Sequence, residues 1–462
     1  MSRAEHRPDL VLIMTDQQRH DQVGYASGGH FETPNVDGLA RDGVRFEHAY
    51  SASTTCVPAR VALLTGLQPH RVPTQVNRFA LREGFWTVAR ALRDAGYETA
   101  LIGKMHFAPV HADHGFDTMR LCEHLLGQGL TGLEDARHED LFDEYHDWLL
   151  ARGLDDWRFA APSRRFPYGV GEHPTGWVES EACAFLDGRD RSRPLFLIVS
   201  FPHPHAPYNP PEPYASMYRP ADSQLPAGGF EVNDGLPEVF RSAMTRFGRR
   251  VIPHVDPENV RPLQRFLATV RGLVRHVDDA IGRVLERIDP DASVVFFTSD
   301  HGDWSGHRGL MRKQPWLPFD DLARVPFVVR GADAVAGLRV HGLVQSSDLV
   351  LTCLDYAGVS PPAIDFDTRS LRPQLTGARE PDADDRAVYC ATTMGWPMVR
   401  RGRFKYVEHR GSRTGVLFDL DDDPAERVDL APDPAFAAVV AELQAALERE
   451  LGRARVPVAR PV

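Results

Sequence analysis

Apolar residues in this chain fall into short unbroken runs separated by longer amphipathic stretches. "DLVLIMTDQQ" (residues 9–18) is apolar over its middle and polar at its end, so it reads as a strand buried on both faces of a parallel sheet. "TPNVDGLARDGVRFEHAYS" (33–51) reads as a helix, a glycine stop and a second strand. "TVARALRDAGYETALIGKMHF" (87–107) repeats that order around Gly96, and "RPLFLIVSFPHPHAPY" (193–208) is a buried strand running into a proline-rich loop. Residues 262–288 carry a long helical period, and "SVVFFTSDHGD" (293–303) is again a buried strand ending in acids. Helices alternating with apolar strands predict an α/β fold: a doubly wound, mostly parallel sheet with helices on both faces.

After about residue 375 the pattern changes. "RAVYCATT", "WPMVRRGRFKYVEHR" and "GVLFDLDDD" read as short antiparallel strands, and a final helix spans 433–451. A catalytic domain over 1–375 and a smaller C-terminal α+β subdomain over 376–462 follow, joined by "LTGAREPDADDR". Residues 120–175 and 205–260 are insertions rich in Pro, Gly and charge.

Composition narrows the function. A length of 462 residues fits two domains, and 42% hydrophobic residues supply a large core. A net charge of −11 argues against nucleic acid and anionic membranes as partners. The five cysteines (Cys56, Cys122, Cys183, Cys353, Cys390) are scattered and odd in number, so they form no disulfide framework. The N-terminal apolar run is too short for a signal peptide and no stretch approaches a membrane span, which predicts a soluble cytoplasmic protein. Oligomeric state is left open, a homo-oligomer included. Lysine is scarce: Lys104, Lys313 and Lys405 are the only three, in a chain that otherwise takes its positive charge from arginine. Such lysines mark places where a compact ammonium is needed, or chance.

"TTCVPARVALLTG" (54–66) places Pro58 where a first helical residue belongs and Gly66 just past a helix end. Cys56 then sits at the positive end of a short helix, either as a reactive group or as a small buried apolar residue. In open α/β sheets ligands bind at the carboxyl ends of strands. Two strands end there alike, one in Asp16 and Gln17, the other in Asp300 and His301. Two carboxylates, an amide oxygen and an imidazole suit a divalent cation, though a strand-end Asp is also a common cap or turn residue. Lys104 and His106, His203 and His205, and Lys313 also lie just beyond strands. Cations and imidazoles gathered around a metal suit a multiply anionic tetrahedral group.

With these residues in view, the chain resembles the formylglycine-dependent sulfatases of the alkaline phosphatase superfamily. "CVPARVALLTG" matches the family pattern C-x-P-x-R followed by a helix ending in T-G. "TPNVDGLARDGVRFEHAYS", "GYETALIGKMHF", "SDHGDWSGHRGL" and "RRGRFKYVEHR" with "LFDLDDDPAERVDLA" follow in the family's order, so the resemblance covers almost the whole chain. It implies that a formylglycine-generating enzyme oxidises Cys56 to formylglycine, with Pro58 and Arg60 in its recognition sequence. Ala59 stands where the family often has Ser. Arg60 is implied to hold the modified residue. One hydroxyl of the hydrated aldehyde would attack sulfur, and the other would then expel sulfate.

The resemblance also assigns the other residues. Asp16, Gln17, Asp300 and His301, with the residue made from Cys56, match the metal ligands, with Ca2+ first and Mn2+ or Mg2+ as alternatives. Gln17 and His301, where many members have Asp and Asn, resemble the branch of choline sulfatases and phosphonate monoester hydrolases. Asn77 and Lys313 match substrate-oxyanion contacts of that branch. Lys104 and His106 match the G-K-x-H pair that touches the formylglycine and the transferred group. His205 matches the leaving-group acid, His203 being the weaker choice, and Lys405 has a structural place. The expected activity is hydrolysis of a small-molecule sulfate ester. Phosphonate monoester or phosphodiester hydrolysis on the same site is the alternative, and a non-catalytic binding protein on this scaffold is a third reading. Trp148, Trp157, Phe166, Tyr168 and Tyr208 in the insertions could stack on a ring or cage a quaternary ammonium, with packing the commoner use of such residues.

Overall fold

The computed structural model describes residues 7–72, 81, 84–107, 110–123, 142–157, 166–226, 230–251, 260–378, 385–391 and 395–456. Its strands in chain order are β1 (Asp9–Asp16), β2 (Val44–Tyr50), β3 (Glu98–Gly103), β4 (Thr118–Leu121), β5 (Leu195–Pro204), β6 (Ser293–Ser299), β7 (Phe327–Arg330) and β8 (Leu338–Gln345). They form one sheet in the order β4-β3-β5-β1-β6-β7-β2-β8. Every neighbouring pair is parallel except the two that include β7, which runs against both β6 and β2.

The period-2 alternation of β1 accounts for the two-faced core. Leu10, Leu12 and Met14 enter one apolar layer with the helices Cys56–Thr65, Val88–Asp94 and Leu349–Ala357. Val11 and Ile13 enter the opposite layer with the helices Pro34–Asp42, Pro174–Gly188 and Arg261–Leu285. Each such aliphatic side chain contributes about 1.5–3 kcal/mol on burial, so a strand with no polar face is held in register from both sides. That register matters for chemistry. Thr15 pairs with Ser299, so Asp16 and Asp300, one residue on, leave the sheet at the same level. Met14 pairs with Ser200, and Ser200 with Gly103, which brings Lys104 to that edge as well.

A second, antiparallel sheet follows, in the order β12-β11-β10-β9, from β9 (Ala387–Cys390), β10 (Met398–Arg401), β11 (Phe404–His409) and β12 (Thr414–Asp419). Cys390, Met398, Val407 and Phe418 on one face pack with Tyr50, Phe240, Trp304 and Phe319. Val399, Tyr406 and Leu417 on the other pack with the helix Ala437–Leu451. This is the expected fold class. The final helix is shorter than the stretch 433–451, because Pro434–Phe436 forms a separate tight turn before it. No helix among the described residues is long and apolar enough to cross a membrane.

Candidate active site

The helix Cys56–Thr65 is buried along its entire length. It begins two residues before the expected start at Pro58. Proline is tolerated there because the first-turn N–H groups have no partner within the helix. Gly66 ends it in the left-handed conformation (φ 67°), with its N–H donating to the Ala62 carbonyl. Cys56 Sγ lies 3.2 Å from His301 Nε2, 2.8 Å from Lys313 Nζ and 3.9 Å from Asp16 Oδ1. Asp16, Cys56, Asp300 and His301 each offer one ligand atom, all within 4.8 Å of one another.

One turn along that helix, Arg60 spends its guanidinium on groups in or just beyond four neighbouring strands. Nη2 reaches Asp16 Oδ2 at 3.0 Å and Nε reaches Asp300 Oδ2 at 2.9 Å. Nη1 donates to the Lys104 carbonyl at 2.7 Å and to Ser200 Oγ at 2.8 Å. Its fixed fork holds the site's frame, a task a single-point ammonium could not perform. Lys104 Nζ adds a second cation 2.6 Å from Asp16 Oδ2. Burial would raise the Asp16 carboxyl, but Lys104, then His205, Arg60 and Lys313, hold it well below the usual range. Burial and Asp16 push the Cys56 thiol up, while Lys313, Lys104 and His301 pull it down and prevail.

Gln17 follows Asp16 in a left-handed conformation (φ 64°), uncommon for a residue with a Cβ and frequent at functional sites. Its N–H donates to Asp300 Oδ1 at 3.0 Å, which helps to hold that conformation. Its Nε2 donates to Asp303 Oδ2 at 2.5 Å and to the Tyr208 hydroxyl at 3.2 Å. Its Oε1 is buried without a hydrogen-bond partner among the described residues. His301 donates from Nδ1 to the Gly302 carbonyl at 2.9 Å, leaving Nε2 toward the cluster. Burial would lower the His301 imidazole, yet Asp300 and Cys56 hold it up. An orphaned amide oxygen, two carboxylates and an imidazole with its outer nitrogen anchored fit a divalent cation.

Other expected residues arrive by different routes. His205 Nδ1 meets the Ala206 carbonyl at 2.8 Å, and its Nε2 lies 3.4 Å from Lys313 Nζ. Burial, then Lys313 and Lys104 against Asp16, holds this imidazole well below its usual value. His106 also sits in a left-handed conformation (φ 67°). Its N–H and that of Met105 both donate to the buried carboxylate of Glu123, at 2.8 and 2.9 Å. His203 turns into the core, its ring 4.4 Å from that of His173. Asn77 lies outside the described residues. Trp157 and Phe166 are buried in a core layer, with Trp148 and Tyr168 packed against it. Tyr208 meets the site through its hydroxyl. Ser200, Glu123 and Asp303 escaped the sequence reading, because each acts on a partner far away in the chain.

A cysteine at a buried helix start, a group of side chains that could hold a cation and three converging cations suit a tetrahedral oxyanion. The chain belongs to the sulfatase family of the alkaline phosphatase superfamily: a family model described as "Sulfatase" matches residues 8–359. It is 29% identical to an arylsulfatase of Clostridium perfringens, over 96% of this chain and 94% of that one. It is 30% identical to a choline-sulfatase of Rhizobium meliloti, over 93% of this chain and 83% of that one. The solved phosphonate monoester hydrolase of Agrobacterium radiobacter superposes with a TM-score of 0.80, at 26% identity, over 96% of each chain. The protein is accordingly a sulfuric ester hydrolase.

Proposed function

We propose that this enzyme hydrolyses the sulfate monoester of a small organic molecule through a formylglycine made from Cys56 by a formylglycine-generating enzyme. The observation that carries the reading is the seat of Cys56, at a buried helix start with Lys313 Nζ 2.8 Å from its sulfur. Formylglycine supplies a hydrated aldehyde, whose hydroxyl would take the place of that sulfur as nucleophile. Asp16, Gln17, Asp300, His301 and that hydroxyl would hold a divalent cation, Ca2+ first and Mn2+ or Mg2+ as alternatives. The cation supplies a Lewis acid that eases loss of the hydroxyl proton.

The chain's own residues divide the remaining work. Arg60 keeps the two carboxylates from turning. Lys104 and Lys313 place fixed positive charge where the sulfuryl oxygens gain negative charge, with His106 and Asn77 as further substrate contacts. His205 Nε2 faces the Lys313 ammonium at 3.4 Å. His205 is the group placed to give a proton to the leaving alkoxide, while Lys313 keeps its charge.

The mass of the peptide spanning Cys56, from protein made beside an active maturation enzyme, tests the nucleophile. An aldehyde in place of the thiol is expected, and an intact thiol overturns the reading. The second reading is phosphonate monoester or phosphodiester hydrolysis, favoured by the phosphonate monoester hydrolase with a TM-score of 0.80. Turnover of matched aryl sulfate and aryl phosphonate esters separates the two, and we expect the higher kcat/KM for sulfate.

A further inference from the structure

Asp303 lies in the loop after β6, three residues beyond Asp300, and is buried. Its carboxylate is saturated by donors. Oδ1 accepts the Ser305 N–H at 2.5 Å and the Ser305 hydroxyl at 2.8 Å. Oδ2 accepts Gln17 Nε2 at 2.5 Å and the Tyr208 hydroxyl at 3.1 Å. An ionised carboxylate is an acceptor only, with about four lone-pair sites, all taken here. The end of the Gln17 side chain that faces it must therefore be the NH2. The two hydrogens of that NH2 are divided between Asp303 and Tyr208, which themselves are joined. What remains of the amide is Oε1, buried and without a hydrogen-bond partner among the described residues.

An amide beside a cation is ambiguous by nature. Its oxygen is a ligand, its nitrogen is not, and the two ends are nearly equal in size. A glutamine ligand needs something to choose its orientation. An aspartate at such a position would have two equivalent oxygens and need no such choice. We infer that Asp303 is the positioning residue that turns the Gln17 amide oxygen outward as a cation ligand, and that Tyr208 completes the lock. The inference rests on the proposed metal site. It makes Tyr208, three residues beyond His205, a physical link between the leaving-group loop and the metal cradle.

The inference is tested by reversing the donor and acceptor roles. In Asp303→Asn the side-chain oxygen stays on the Ser305 donors, which leaves its NH2 toward Gln17. The Gln17 amide must then flip and present NH2 to the cation position. Ca2+ and Mn2+ affinity, measured by calorimetry and by chelator competition, is expected to fall about 10- to 100-fold. Adding Gln17→Glu to that variant restores a matched pair: one Glu oxygen accepts from the asparagine and the other binds the cation. Affinity in Q17E/D303N is expected to return to within a few-fold of wild type, whereas Q17E alone sets two carboxylates against each other. Tyr208→Phe removes one bond of the triangle and is expected to cost about 2- to 10-fold. Thermal unfolding of the cation-free proteins checks that each variant folds.

Wild-type affinity in D303N overturns the inference, as does a folded D303N that binds weakly and is not rescued by Q17E. A wild-type chain that takes up no divalent cation overturns the metal reading itself, and this inference with it.

Discussion

Lys104 and Lys405 are both sealed from solvent, yet their surroundings differ in kind. Lys405 lies on the face of the antiparallel sheet that packs toward the large sheet. Its ammonium is 2.8 Å from Asp320 Oδ1 and 2.8 Å from Glu426 Oε1. Asp320 also accepts the Tyr50 hydroxyl at 2.9 Å, and Glu426 Oε2 accepts the Asp320 N–H at 2.7 Å. Arg400 closes the group on Tyr50 at 2.5 Å. Cations and acceptors there answer one another. Around Lys104 they do not. Arg60, Lys104 and Lys313 face the carboxylates of Asp16 and Asp300, while Gln17 Oε1 and His301 Nε2 contribute no countercharge. Gln17 Oε1 is left without a hydrogen-bond partner among the described residues, beside Asp16, Cys56, Asp300 and His301, whose ligand atoms lie around one point. Buried charge alone therefore does not mark a site. Bonding capacity left over around a common point does.

The largest test of that contrast is Cys56→Ala. It removes the proposed nucleophile and should reduce turnover by about 10⁴-fold or more, with little change in unfolding midpoint. Retained turnover would detach the chemistry from the helix start. Next comes Lys405→Met, which leaves buried carboxylate charge without its partner and should cost about 3–5 kcal/mol of stability in urea unfolding. The kcat of the folded fraction should be unchanged, because the ion-pair partners of Lys405 among the described residues, Asp320 and Glu426, are not site residues. Lys313→Met inverts the pattern. It should lower kcat about 10²–10³-fold through lost charge stabilisation, yet keep wild-type stability within about 1 kcal/mol when Ca2+ is present. If both lysine variants lost stability alike and activity alike, the contrast between the clusters would collapse.

The same contrast explains what could be read in advance. β1 and β6 were legible because each is an unbroken apolar run, and their polar ends announced Asp16, Gln17, Asp300 and His301. The reversed direction of β7 was not legible, since its four residues carry no mark of orientation. The position of Arg60 could be read but not its bridge between Asp16 and Asp300, which depends on strand register. Tyr208 invited a reading by its ring, whereas its hydroxyl is what meets Gln17 and Asp303. Asp320 and Glu426 lie far from Lys405 in the chain, so only the packing of the two sheets shows why this third lysine is kept.

The smallest expected effect concerns pH in the self-satisfied cluster. Burial, with Asp320 adding to it and Lys405 opposing, pushes the Glu426 carboxyl up to about 7 from an ordinary value of 4.5. The folded chain then binds this proton more tightly than the unfolded chain does. Its stabilising contribution is fully present below pH 4.5 and is lost as pH rises through 7. Glu426→Gln keeps the neutral form at every pH. The variant should match wild type near pH 5 and become relatively more stable by pH 8, by on the order of 2 kcal/mol in urea unfolding across that range. Were Lys405 instead to require the ionised carboxylate, the gap would open in the other direction, with the variant weaker at pH 8. Those opposite slopes separate a cluster that carries its own proton from one held by two full ion pairs. Activity per folded molecule should follow neither slope, since Glu426 bonds to Lys405 and Asp320 and to no residue of the metal cradle.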